Sequence, residues 1–159
     1  MNAKLLLRAA SAVMLLLAIG HTLGSPWTSA QGTGALAVAS AMRDNHFNVM
    51  GLERSYFNFY VGFGWTLSAY LFGHAILYWQ LASILDRVGH KLSGIVGILA
   101  IESICAAVVA WKFLFWVPVI MSALIALLLA TSFYRINRVK GASLPRRRAG
   151  EQAGTLDRG

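Results

Sequence analysis

Four long apolar runs alternate with short polar breaks along this chain. Leu5 to Leu23 is broken only by Arg8, Ser55 to Leu85 carries no Asp, Glu, Lys or Arg, Leu92 to Trp111 contains only Glu102, and Phe113 to Tyr134 contains none. About 20 residues of α-helix, rising ~1.5 Å each, cross the hydrocarbon core of a bilayer, so every run is long enough for one crossing. The pattern predicts an all-α integral membrane four-helix bundle, with helices near 5–24, 55–85, 92–111 and 114–135 inside a domain of residues 1–140. The break around Lys112 is so short that the last two helices must form an antiparallel hairpin. Pro118 then falls near the start of the last helix, where a missing N–H is tolerated.

Between the first two runs, Ser25 to Arg54 reads as a polar outer loop opening with Ser25-Pro26-Trp27. Its segment Ala35 to Met42 is small and apolar enough for a short helix along the membrane surface. Residues 141–159, rich in Gly and Arg, read as a basic disordered cytoplasmic tail. Lys4 and Arg8 before an apolar stretch, with Ala18-Ile19-Gly20 after it, also fit a cleavable signal peptide; the four-helix reading keeps this segment as a span.

Composition agrees with the pattern. With 57% hydrophobic and only 13% charged residues, the chain is too apolar for an ordinary soluble domain. The net charge of +8 raises the question of nucleic acid, which the placement of the charges answers. With the N-terminus inside, the inner side carries Lys4, Arg8, Arg87, Lys91, Arg135, Arg138, Lys140, Arg146, Arg147, Arg148 and Arg158, against Arg43, Arg54 and Lys112 outside. This is the positive-inside asymmetry of a multi-pass protein with both termini cytoplasmic. No aromatic-basic platform for nucleic acid accompanies it. The single cysteine, Cys105, cannot form an intramolecular disulfide and reads as a buried structural thiol.

Glu102 is the outstanding chemical feature. A carboxyl group at the centre of a bilayer must be neutral, paired or wetted, because isolated charge in hydrocarbon is costly. The nine Leu, Ile and Val residues of its run contribute about 0.3 to 0.6 kcal/mol each to insertion, which roughly offsets a penalty of ~3 kcal/mol for the charge. The third helix therefore needs help to insert, and the following helix, its hairpin partner, is the expected helper. On the second helix Glu53, Tyr56, Tyr60, Gly64, Tyr70, His74 and Tyr78 fall within an arc of about 120°. That arc is either a hydrogen-bonded packing seam or a ligand-lining face. In the first helix, Gly20 and Gly24 flank His21 at a spacing that lets another helix approach closely. Scaling each run to a ~30 Å core puts His21 near the outer surface, Glu102 near the middle and His74 in the inner third, with the histidines roughly 17 Å apart in depth. Glu102 can then be satisfied by His21, His74 or Arg54, and these geometries suit neither an axial haem pair nor a compact metal motif.

The residues His21-Thr22-Leu23-Gly24, and the stretch from Phe47 through Met50-Gly51, Arg54-Ser55-Tyr56 and Phe59-Tyr60 to Gly62-Phe63-Gly64, carry a family likeness. They resemble the His-Thr-Leu-Gly and Phe-x-Val-Met-Gly-x-x-Arg-Ser-Tyr-x-x-Phe-Tyr-x-Gly-Phe-Gly motifs of an uncharacterised family of small four-helix bacterial inner-membrane proteins. The resemblance covers about residues 1–135, and it implies a plasma-membrane location and no particular activity. Members often carry Asp where this chain has Asn48 and Asn58, so no acidic role transfers to those positions.

Three functions are consistent with these features. The first is binding of a lipid, isoprenoid-like or other apolar small molecule in a polar intramembrane pocket formed by His21, Arg54, Tyr56, Asn58, Tyr60, Tyr70, His74 and Glu102. In that pocket the motif around Arg54 forms a roof and Glu102 the floor. The second is a proton-transfer isomerase with Glu102 as acid or base and His21 or His74 as relay. The third is an accessory subunit of a membrane complex, or a homo-oligomer, assembled through glycine seams. No motif calls for a metal, a cofactor or nucleic acid, and the bilayer itself is the one partner all three share.

Overall fold

The computed structural model describes residues 2–24 and 30–142. Its elements are α1 (Ala3–Gly24), α2 (Thr33–Asp44), β1 (His46–Val49), β2 (Leu52–Ser55), α3 (Tyr56–Val88), a 3-10 turn (Gly89–Leu92), α4 (Ser93–Phe113) and α5 (Trp116–Ala142). The four long helices follow the four apolar runs, with α5 extending past the expected end near 135. The expected disordered tail beyond Ala142 and the loop opening Ser25-Pro26-Trp27 lie outside the described residues. Three helical stretches are long and apolar enough to cross a membrane: Ala3–Gly24, Tyr56–Phe113 and Trp116–Arg138. The second is α3 and α4 joined through the 3-10 turn, where Gly89, at φ 60°, takes a conformation that side-chain-bearing residues avoid and so reverses the chain.

Polar contacts fix how α1 lies on α3. Lys4 pairs with Asp86, the Arg8 guanidinium lies 5.0 Å from the centre of the Trp79 ring, Ser11 Oγ donates to the Ala75 carbonyl at 2.6 Å, and His21 Nδ1 sits 3.1 Å from Ser68 Oγ. As the residue number rises along α1 it falls along α3, so the two helices are antiparallel. On the other flank of α1, Ser132 Oγ of α5 donates to the Ala3 carbonyl at 3.2 Å. α4 packs in turn on α5, so closely that a Cβ on Gly97 would lie 3.2 Å from the Phe133 ring. α3 and α4 hardly approach each other, so the ring α3–α1–α5–α4 is left open along one seam.

The core is confined to one end of this ring. It joins the first half of α1 (Leu7, Ala10, Met14), the second half of α3 (Ala75 to Ala82), the 3-10 turn and the start of α4 (Leu92 to Ala100) and the middle of α5 (Ile125 to Ile136). Those segments meet at the end where α1 begins and α5 finishes. Serines are buried inside, among them Ser11, Ser68, Ser103 and Ser132, whereas Ile98 and Leu127 on the outside are 68% and 64% exposed. A soluble bundle has the reverse arrangement, because water rather than lipid would meet those side chains.

At the other end, α2 occupies the position expected for a short helix in the first loop. Arg43 stacks on the Phe57 ring, 4.1 Å from its centre, and ties α2 to α3. The segment between them was expected to be loop and is instead a β-hairpin. β1 and β2 pair antiparallel with Val49 opposite Leu52, leaving the two-residue turn Met50-Gly51. Both turn residues have positive φ, 52° and 86°, as a type I′ turn requires, and the Asn48 side chain accepts a hydrogen bond from Gly51 N at 3.0 Å. Methionine is an unusual first residue for such a turn, which is why the sequence pattern carries no hairpin signal there. The hairpin leads straight into α3 through a reciprocal cap: Asn58 N donates to Ser55 Oγ at 3.2 Å, and Ser55 N donates to Asn58 Oδ1 at 2.9 Å.

Candidate functional site

Tyr70, His74 and Tyr78 stand four residues apart on α3 and so share one face of that helix. Across the seam from them, Glu102 projects from α4 and its Oε1 lies 3.1 Å from His74 Nε2. The two residues sit close to the midpoints of their helices. His74 Nδ1 is 2.9 Å from the Tyr70 carbonyl, one turn back on its own helix. A carbonyl can only accept, so Nδ1 carries a proton and donates it. A hydrogen bond between Nε2 and the carboxylate then requires one proton between them: either the carboxylic acid donates to a neutral imidazole, or an imidazolium donates to a carboxylate. Both forms are neutral overall, which meets the requirement set by placing Glu102 in an apolar run. Packing supports the imidazole from its other side, where the Tyr78 ring meets it edge-on at 5.9 Å.

The pair forms the polar edge of a cavity of about 360 Å³. Its wall comes from all four long helices: Met14 and Leu17 of α1, Leu67, Tyr70, Leu71, His74 and Tyr78 of α3, Glu102, Ser103 and Ala106 of α4, and Ser122 and Ile125 of α5. This space lies where the tight core ends and the α3–α4 seam begins. The carboxylate is reachable from the seam, since the Glu102 side chain is 52% exposed against 26% for His74. Ser103 Oγ donates back to the Leu99 carbonyl at 2.8 Å. Ser122, 7% exposed, is the one buried serine lining the cavity whose hydroxyl makes no hydrogen bond among the described residues.

The remaining site candidates fall into two other places. His21 meets Ser68 between α1 and α3, and Thr22 Oγ1 lies 3.0 Å from the same Ser68 oxygen. Since Ser68 is six residues from His74, the two histidines differ by about 9 Å along α3 rather than the expected ~17 Å. The scaled depths erred because α3, with 33 residues, is far longer than a bilayer core and overhangs the bundle at its α2 end. Arg54, Tyr56, Asn58 and Tyr60 belong to that overhang. Arg54 donates to the Glu53 carbonyl at 2.8 Å, Tyr56 packs on Phe47 with ring centres 4.8 Å apart, Asn58 serves the helix cap, and Tyr60 packs on Phe57 at 6.3 Å. Arg54 and Asn58 line a separate, shallow cleft of about 300 Å³ with Phe59, Gly62, Phe63 and Thr66. Asn58 lies about 24 Å along α3 from His74, so the Arg54 motif does not roof the cavity that Glu102 lines.

Two further expectations are corrected. Among the described residues no neighbouring helix comes within 4 Å of a Cβ built on Gly20 or Gly24, so their spacing is not used for close helix contact within the chain. Cys105 is exposed rather than buried, because it continues the outward face of α4 that carries Ile98 and Ile101. Ser103 and Ser122 were not anticipated as cavity residues; a hydroxyl in an apolar run is too common in membrane helices to single out. Among the described residues no three His, Cys, Asp or Glu side chains converge as metal ligands would. No family model matches the chain, and no curated protein or solved structure matches it either.

Proposed function

We propose that this chain is a four-span membrane protein that binds a lipid or isoprenoid-like molecule through the α3–α4 seam. The observation that carries this reading is the His74–Glu102 pair, joined at 3.1 Å on the wall of a 360 Å³ cavity whose remaining surface is mostly apolar. Small-molecule sites are typically apolar hollows of about 300–1,000 Å³ with a few converging polar groups. An opening between helices, rather than toward water, suits a ligand that arrives from the bilayer. In this reading α1, α3, α4 and α5 all cross the plasma membrane, with the basic end of the bundle in the cytoplasm. Mass spectrometry of the gently purified protein tests it: one retained lipid per chain is expected, lost when Leu17→Trp fills the cavity. Equal lipid retention by both forms would remove the cavity as the binding site.

A second reading, proton-transfer isomerisation, is favoured by the proton shared between Glu102 and His74. The carboxylic acid would protonate one carbon of a bound olefin's double bond while the imidazole removes a proton from the allylic carbon next to its other end, moving the double bond by one position without net change in composition. Incubating the protein with farnesol in heavy water would then place deuterium on carbon. Incorporation no faster than with Glu102→Gln would dismiss this reading.

A further inference from the structure

Three features of the cavity bear on what kind of head group it accepts. The first is charge. His74 and Glu102 hold one proton between them and together are neutral, and no Lys or Arg lines the cavity. The nearest cations along α1 and α4 are Arg8, six residues or about 9 Å from Met14 and lying over the Trp79 ring, and Lys112, ten residues or about 15 Å from Glu102 and lying over the Phe113 ring. An anionic head group entering this space would therefore meet no compensating charge in a medium that penalises unpaired ions heavily.

The second feature is Ser122. The hydroxyls of Ser103 and Thr131 donate back to carbonyls of their own helices, and those of Ser11 and Ser132 donate to carbonyls of neighbouring helices, so each has a backbone group as its partner. That of Ser122 does not, although the residue is only 7% exposed and lines the cavity. A hydroxyl that faces a cavity and makes no hydrogen bond within the described residues keeps a donor and an acceptor open to a ligand. The third feature is the seam itself, where Leu67 and Leu71 of α3 and Ala106 of α4 line the cavity and give a hydrocarbon chain an apolar surface beside the polar pair.

Resting on the binding reading above, we infer that the cavity takes amphipathic ligands with an uncharged hydroxyl or carbonyl head group, seated between Ser122 and the His74–Glu102 pair, and rejects phosphorylated ones. A hydroxyl can donate to or accept from Ser122 while engaging the carboxyl group, and it adds no charge. The ligand chain lies in the seam and covers the exposed side of Glu102.

Farnesol and farnesyl phosphate, which share one chain and differ in head group, separate the possibilities. Each is titrated into the full chain in neutral detergent and followed by native mass spectrometry. Farnesol is expected to bind one per chain, and farnesyl phosphate at least about a hundredfold more weakly. Ser122→Ala is expected to weaken farnesol about threefold to tenfold, the loss of one hydrogen bond, with the melting temperature unchanged. Farnesyl phosphate binding as tightly as farnesol, or tighter, overturns the inference while leaving the cavity as a binding site, provided Leu17→Trp abolishes it. An unchanged farnesol affinity in Ser122→Ala overturns the seat at Ser122. Binding of neither probe, by the unaltered protein or by Leu17→Trp, counts against the binding reading itself.

Discussion

At His74 the backbone decides the chemistry of a side chain. By accepting from Nδ1, the Tyr70 carbonyl leaves Nε2 as the only nitrogen that can answer Glu102. This makes the two partners unequal under substitution. Glu102→Gln supplies an amide N–H to the unprotonated Nε2 and keeps the contact, whereas His74→Ala leaves the carboxyl group with no partner in the seam. Chemical unfolding in mixed micelles should show Glu102→Gln within about 0.5 kcal/mol of the parent and His74→Ala less stable by about 1–3 kcal/mol. Equal losses in both would mean that the contact does not hold the proton inferred for it. Glu102 itself was readable in the sequence as a charge out of place, and His74 as one of three partners. What the sequence did not disclose was the choice among them, because that depends on how far α3 overhangs the bundle, and hydropathy does not mark where a helix leaves the membrane.

At the scale of elements, apolar runs specified the long helices well because each run exceeds a helix's crossing length and ends in polar residues. The hairpin escaped for a local reason. Its turn relies on Met50 at φ 52°, which for a residue with a Cβ costs roughly 1 kcal/mol, and Met50 is 99% exposed, so no packing compensates the strain. Asparagine tolerates that conformation better. Met50→Asn should therefore slow amide exchange across Val49 to Leu52 about two- to fivefold. Faster exchange in the variant would show that the turn is not the type I′ geometry that its φ angles describe. The α4–α5 contact illustrates the converse: Gly97 allows the Phe133 ring to lie against the α4 backbone, a close approach made by a lone glycine, whereas the Gly20 and Gly24 pair that drew notice makes none.

For the whole molecule, the described basic residues separate along the bundle. Lys4, Arg8, Arg87, Lys91, Arg135 and Arg138 gather where α1 starts and α3 and α5 end, while Arg43, Arg54 and Lys112 lie at the opposite end. Under the proposed membrane reading, the positive-inside rule assigns the first group to the cytoplasm. In a Cys105→Ser background, a membrane-impermeant maleimide added to intact cells should label Val38→Cys on α2 and leave His90→Cys unlabelled until the cells are opened. The opposite pattern would invert the molecule and move α2 and the hairpin inside.

The partnership of His74 with Glu102 also sets an order of construction. Under the proposed four-span reading, α4 bears a carboxyl group whose penalty of ~3 kcal/mol roughly cancels its apolar drive, and its hairpin partner α5 is made after it. His74 belongs to α3, which leaves the ribosome earlier and in the finished fold lies against α1 through Ser11 and Ser68. On that reading the imidazole is made before the carboxyl group that needs it, and assembly in the order of synthesis leaves no step at which Glu102 must enter the bilayer without a partner already synthesised.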